Sequence, residues 1–299
     1  MSALHILILT PSLGKVSLGY RDTYAQVVLE CHRRGIKVSV ADAVDPGQLV
    51  HARNALLGAC LESDATHAFW WDADVYFAPR GLFELLGRTE PMICRPYPMR
   101  SVDWTRVRDH LTDGGSHQPQ VLRRAAQHWT VALHYDESGR PVWSDDRQLV
   151  RVNHCGFGWV LFRMDRLAAF ARNVLGPLAD FDVPPGVLET DWASRRIVRG
   201  FDLLPTDKGR VTRGEDVSFC ARWTLDGHPL WAAPYLSVRN GEHEGRFASY
   251  LESHDLLPRP ELPPVAVVSF ECVSGKDFRT CERADCPLHA PLAEGDPRP

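Results

Sequence analysis

Two aspartates, one residue apart, interrupt an otherwise apolar run in "HAFWWDADVYFAP" (residues 67–79), at Asp72 and Asp74. A carboxylate pair beside a core strand is costly unless something cationic meets it. Two carboxylates at i and i+2 leaving a strand reach one hard cation when the chain bends. Their oxygens suit Mg²⁺ or Mn²⁺, and Mg²⁺ is typically shared with substrate phosphates. The plainer reading is an acidic turn after a strand. A second acidic pair, Glu215 and Asp216, follows Gly214 in "RGEDVSFCARWTLDG" (213–227). Such acids sit well in a helix first turn, where the dipole favours them. A third group, C-x8-C-x4-C-x2-H, joins Cys272, Cys281, Cys286 and His289. Four soft or borderline ligands in that span suit a structural Zn²⁺, with free thiols as the alternative.

These groups need elements to hold them. "HILILT" (5–10) reads as a buried strand and residues 20–34 as a helix closed by "RRG". "KVSVADA" (37–43) alternates as a strand. Residues 45–63 form a helix opened by Asp45 and Pro46. "HAFWW" is the next strand, 79–88 the next helix, and "PMICRPY" (91–97) a fourth strand. Strands alternating with helices predict an α/β fold with a mixed, mainly parallel sheet flanked by helices. Ligands in such sheets lie beyond the carboxyl ends of the strands, where Asp72 and Asp74 fall.

Residues 101–148 are polar, with a helix expected near 118–128 and a strand at 129–135. "LVRVNHCGFGWVLFR" (149–163) is a strand signal interrupted by Gly156 and Gly158, marking a bulge or a close approach to the backbone. Residues 173–212 read as a long surface segment, 213–227 as a helix, and 228–245 as a strand followed by a loop. The proline-rich stretch 257–264 reads as a linker, dividing a domain at 1–258 from a small Cys/His-rich extension at 259–299.

With 299 residues, 44% of them hydrophobic, the chain can bury a substantial core. Its net charge of −4 carries no global mark of a nucleic-acid or membrane binder, although a basic face can hide under that average. The apolar start lacks the basic flank and cleavage site of a signal peptide, and no run is long enough to span a membrane. Cys31, Cys60, Cys94, Cys155 and Cys220 lie in apolar contexts and read as reduced core residues. A cytoplasmic setting is expected.

The order "ARNALL" (52–57), "ATHAFWWDADVYFAP" (65–79), "HCGFGWVLFR" (154–163), "RGEDVSFCARWTLDGHPLW" (213–231) and "HEG" (243–245) resembles the GT-A-fold glycosyltransferases that use nucleotide sugars. The resemblance covers about residues 3–250. It implies that Asp74 is the main metal ligand, with Asp72 on ribose or metal. His243 matches the late histidine that often completes the metal shell; a structural or solvated histidine is the alternative. Thr10, Pro11, Asp42 and Arg53 lie where the nucleotide, UDP foremost, is usually held. Gly156 and Gly158 would keep the floor of the sugar pocket free of side chains. One of Glu215 and Asp216, Asp216 first, would meet the acceptor hydroxyl, as general base in an inverting enzyme or as a positioning group in a retaining one.

The acceptor is open at this level: a polysaccharide, a protein, a lipid-linked sugar or a hydroxymethylated pyrimidine in DNA each offers a hydroxyl. Residues 95–110, 121–129 and 194–200 are basic, the first two with a tryptophan among them, and suit a nucleic-acid groove, or else an ordinary solvated face. A non-catalytic nucleotide- and nucleic-acid-binding module is a separate class. So is a metal-dependent phosphatase or nuclease, which needs more carboxylates near Asp72 than the neighbouring strands supply.

Overall fold

The computed structural model describes residues 3–12, 15–44, 49–177, 179–180, 196–205, 214–241 and 243–258, all within the compact unit Met1–Pro258. In chain order the first elements are β1 (His5–Ser12), α1 (Leu18–Arg33), β2 (Lys37–Val44), α2 (Leu49–Glu62), β3 (His67–Trp71), β4 (Val75–Phe77), α3 (Arg80–Phe83) and β5 (Met92–Cys94). Then come β6 (Pro98–Val102), α4 (Trp104–Thr112), α5 (Pro119–Ala125), β7 (Gln127–Trp129), β8 (Val131–Leu133), β9 (Val150–Cys155), β10 (Trp159–Arg163) and α6 (Met164–Phe170). A π-helical turn over Ala171–Leu175 precedes β11 (Ala179–Asp180) and β12 (Arg196–Ile197). The described chain ends with α7 (Glu215–Leu225), β13 (Trp231–Ala232), β14 (Val238–Asn240), β15 (His243–Gly245) and α8 (Phe247–Ser253).

Eight strands form one sheet in the order β2-β1-β3-β10-β5-β13-β9-β8. β1 pairs in parallel with β2 and β3, and β13 with β5. β10 is antiparallel to both β3 and β5, and β9 to both β13 and β8. The α/β architecture with a mixed sheet is as expected, with more antiparallel pairing than the strand–helix alternation suggests. Near-continuous apolar runs arise because the central strands are buried on both faces. Leu7, Leu9, Trp70, Val160 and Phe162 pack into one core, and Ile6, Ile8, Phe69, Trp71, Trp159 and Leu161 into the other.

Three expectations change. Residues 149–163 are two strands, not one bulged strand: β9 ends at Cys155, and β10 begins at Trp159 between β3 and β5. The region expected to be one strand and a loop (228–245) supplies three short strands. Two of them, β14 and β15, join β4 in a small antiparallel sheet of order β15-β14-β4. The polar stretch after residue 101 contains a helix, α4, capped by Asp103, whose side chain accepts from the Arg106 N–H. Asp45 and Pro46, the expected helix start, and residues 259–299 lie outside the described residues.

Gly156 and Gly158 are needed because of Tyr97. A Cβ on Gly158 would stand 2.6 Å from the Tyr97 hydroxyl and 2.9 Å from Val75, and one on Gly156 would stand 2.6 Å from the same hydroxyl. The Gly158 N–H donates to that hydroxyl at 2.9 Å. Gly158→Ala is therefore expected to destabilise the fold by about 1–3 kcal/mol through overpacking. Urea unfolding measures the loss, and an unchanged midpoint contradicts this account of the glycine.

Candidate active site

β1, β2 and β3 end together. Thr10 lies opposite Asp42, and Leu9 opposite Trp70. The next residues, Asp72-Ala73-Asp74, turn the chain from β3 into β4 and are anchored from three sides. The Asp72 N–H donates to Gly158 O at 3.2 Å, Ala73 O accepts from Ser17 N–H at 2.9 Å, and Asp74 O accepts from Gly241 N–H at 3.1 Å. The Trp71 indole N–H donates to Val75 O at 2.6 Å, tying β3 to β4. The position of both carboxylates is thus set by segments far apart in sequence.

The cation that meets Asp72 is Arg53. This α2 residue is 1% exposed. Its guanidinium donates to Asp72 at 3.3 Å, to Glu215 at 3.0 Å, and to Asp216. It also lies over the rings of Phe157 and Phe201, at 5.7 and 5.8 Å from their centroids. Its Nε, also buried, has no hydrogen-bond partner among the described residues. The neighbouring Asn54 holds the next wall in place, donating to Asp202 and accepting from the Phe201 N–H at 2.8 Å. Arg53 was expected at the nucleotide; in the structure its two terminal nitrogens donate to three carboxylates.

Asp216 accepts from Arg53 with one oxygen and from the Phe157 N–H at 3.2 Å with the other. Glu215 meets Arg53 through a single oxygen. Both stand at the start of α7, where the helix dipole favours acids. Burial is the main cause that raises the Asp72 carboxyl above the usual carboxylate range; Arg53 opposes it, while Asp74 and Glu215 reinforce it. Asp74 points elsewhere, to Arg100 of β6, and this pair is about half exposed. Arg100 also donates to Asn240 at 3.1 Å.

The other expected residues divide. Thr10 is buried and its hydroxyl shares a 2.7 Å hydrogen bond with Tyr20, whose own hydroxyl burial pushes up to about 12. Pro11 is buried beside Ala43, whereas Asp42 is exposed. Gly156 and Gly158 are occupied by Tyr97 rather than facing open space. His243 lies two strands from Val75: it pairs with Asn240 on the far edge of the small sheet, while Asn240 pairs with Val75. It lines a separate groove with Trp104 and Arg239. Among the described residues no group of three or more His, Cys, Asp or Glu could hold a metal ion. Cys272, Cys281, Cys286 and His289 lie outside the described residues.

The donor set fits Mg²⁺ or Mn²⁺ only in the form that needs few protein ligands. Asp72 and Asp74 are two hard carboxylates on one turn, and a diphosphate would supply the remaining oxygens. Tyr97 and Arg100 join the site without having been singled out individually in the sequence. Arg100 falls in a flagged basic stretch, while Tyr97 carries no local signal. No family model matches the chain, and no curated protein matches it either.

The ion cluster makes opposite demands on its members. Arg53→Leu leaves three carboxylates without their shared cation and is expected to destabilise by about 3–5 kcal/mol at neutral pH. The loss should shrink toward pH 5 as Asp72, whose carboxyl burial holds above the usual range, takes up its proton. Asp72, by contrast, has a raised folded-state pKa. Its stabilising effect is present below the ordinary carboxylate range and lost as pH rises through the raised value. Asp72→Asn is therefore expected to leave the melting temperature unchanged or raise it at pH 7. Thermal melts at both pH values check this, and a large drop for Asp72→Asn at pH 7 contradicts it.

Proposed function

We propose that this protein is a metal-dependent glycosyltransferase of GT-A type, moving a sugar from a nucleotide-sugar donor, a UDP-sugar foremost, to an acceptor hydroxyl. One observation carries the reading: Arg53 gathers Asp72, at the carboxyl ends of three parallel strands, with Glu215 and Asp216 from the start of α7. Carboxylates suited to the donor and to the acceptor thereby share one cluster, though more than 140 residues separate them in sequence.

Asp72 and Asp74 would hold Mn²⁺ or Mg²⁺, which when bound neutralises charge developing on the leaving diphosphate. Arg100, exposed and resting on Asp74, is free to yield that carboxylate. Glu215 is the better base, because one of its oxygens lies beyond the Arg53 contact whereas both Asp216 oxygens are engaged. In an inverting course Glu215 takes the proton of the acceptor hydroxyl; in a retaining course it orients that hydroxyl. Asp216 positions the Phe157 loop against α7. The acceptor we favour is the hydroxyl of a hydroxymethylated pyrimidine in DNA, ahead of polysaccharide or protein. A cytoplasmic setting agrees with five unpaired, buried cysteines, and no described helix is long and apolar enough to cross a membrane.

A non-catalytic nucleotide-binding module is the second reading, favoured because an arginine meets each of these acids. A panel of UDP-, GDP- and other nucleotide sugars with Mn²⁺ separates the two, since a working transferase leaks donor to water. Metal-dependent hydrolysis of one donor is expected. Asp74→Ala should lower it by more than about tenfold, since even outer-shell partners of a metal are worth that much. Donor binding without hydrolysis by the parent protein supports the module instead, and equal hydrolysis by Asp74→Ala removes the metal role.

A further inference from the structure

β6, α4 and α5 form a unit that stands off the core. Neither helix buries a side chain, although α4 carries Trp104, Val107 and Leu111 at helical spacing. Trp104 is 73% exposed, and Met99 and Val102 before it are also exposed. Val107 and Leu111 are only half-buried, and an amphipathic helix whose apolar face stays partly open usually serves something other than the core. Residues 98–126 hold five arginines against three aspartates, a net of +2 in a chain whose net is −4. Arg123 and Arg124 are exposed at the end of α5.

Two cavities run along this unit, of about 620 and 460 Å³. They share Arg123, Gln127 and Glu244 as walls, so they adjoin along one face as a single track. The first has Trp104, Arg239 and His243 on its sides; the second has Arg124, Trp129 and Arg246. The groove is tied to the Asp74 turn. Asn240 donates to Pro98 O at 3.1 Å and accepts from Arg100, which reaches Asp74. Gln127 donates to Glu244 O at 2.9 Å, fixing the middle of the groove.

We infer that this groove binds an extended, single-stranded stretch of nucleic acid, with phosphates against Arg123 and Arg124 and a base stacked on Trp104. Charge and chemistry both point there. Arginine's planar fork binds phosphate in bidentate fashion, and a free-standing aromatic ring beside a basic track is how unpaired strands are held without reading their sequence. The inference deepens the proposed transferase by placing the strand beside Asp74, and its role as acceptor rests on that reading; binding itself does not.

The test is fluorescence anisotropy of the full chain with labelled oligothymidylate of about 12 nucleotides, without metal or sugar, within the usual range of strand-site lengths. Binding is expected at low salt, with a log–log salt slope of about −2 to −3 for three or four neutralised phosphates. Arg123→Ala with Arg124→Ala should reduce that slope by about 1.4. Trp104→Ala, at a site too exposed to upset the fold, should weaken oligothymidylate by about fivefold or more with an unchanged slope. Its heparin affinity should stay as it was. No binding at low salt, unchanged oligothymidylate binding in either variant, or equal losses for heparin and oligothymidylate in Trp104→Ala overturns the inference. Donor hydrolysis by the parent protein is followed alongside. Hydrolysis without oligonucleotide binding removes the groove alone; binding without hydrolysis leaves the groove standing and removes the transferase.

Discussion

One buried guanidinium holds this protein's acidic site together. Arg53 lies on α2 under the edge of the sheet, and three carboxylates from two distant segments converge on it. Three negative charges in a partly desolvated space repel one another strongly, and a single cation cannot neutralise them all. That repulsion shows at Asp72, where burial first, and then the neighbouring Asp74 and Glu215, raise the carboxyl above the usual range against the pull of Arg53. The same arrangement draws α7 onto the strand ends, because the dipole at its N-terminus and Arg53 both favour the acids there. Remove Arg53 and the two halves of the site have reason to separate.

Around that hub the packing is aromatic. Phe157, Phe201, Phe219 and Trp70 pack against one another, mostly edge to face or tilted, with ring centroids 4.8 to 5.8 Å apart, and the guanidinium lies over the first two. Ring faces offer the cation an electrostatically favourable wall without competing for its donors. The rings also shape the connection between β9 and β10, where Phe157 is held between two glycines that yield space to Tyr97. Site and core are therefore one object. The glycines at 156 and 158 serve Tyr97, and Tyr97, itself buried, braces the turn that carries Asp72.

Much of the fold was legible in the chain. "HILILT" and "HAFWW" became β1 and β3 because runs buried on both faces leave an unambiguous apolar signal, and "KVSVADA" became the edge strand β2 because its alternation marks a half-exposed strand. The short strands β4, β13, β14 and β15 were not legible, since two or three residues carry no periodicity. α4 was hidden for a different reason: it buries nothing, so its polar composition resembles a loop. The interruption at Gly156 and Gly158 was visible, but a bulge and a strand change leave the same local mark. Only pairing partners distinguish them.

The sequence by itself determined that acids would stand at the ends of a core strand and of a helix, because an apolar run can stop at Asp72 and a helix can begin at Glu215 by local rules alone. It also determined the two-sided burial of β1 and β3. Which cation meets which acid was decided by the tertiary structure. Arg53 and Arg100 are arginines among thirty, and nothing local marks one as a buried hub and the other as an exposed partner. His243 shows the same limit from the other side. Its motif stood in the expected order, yet strand pairing set it two strands away from Val75, on the wall of the groove beside α4. Order along a chain constrains which residues can meet, but distance in space depends on register, and register is a property of the assembled sheet.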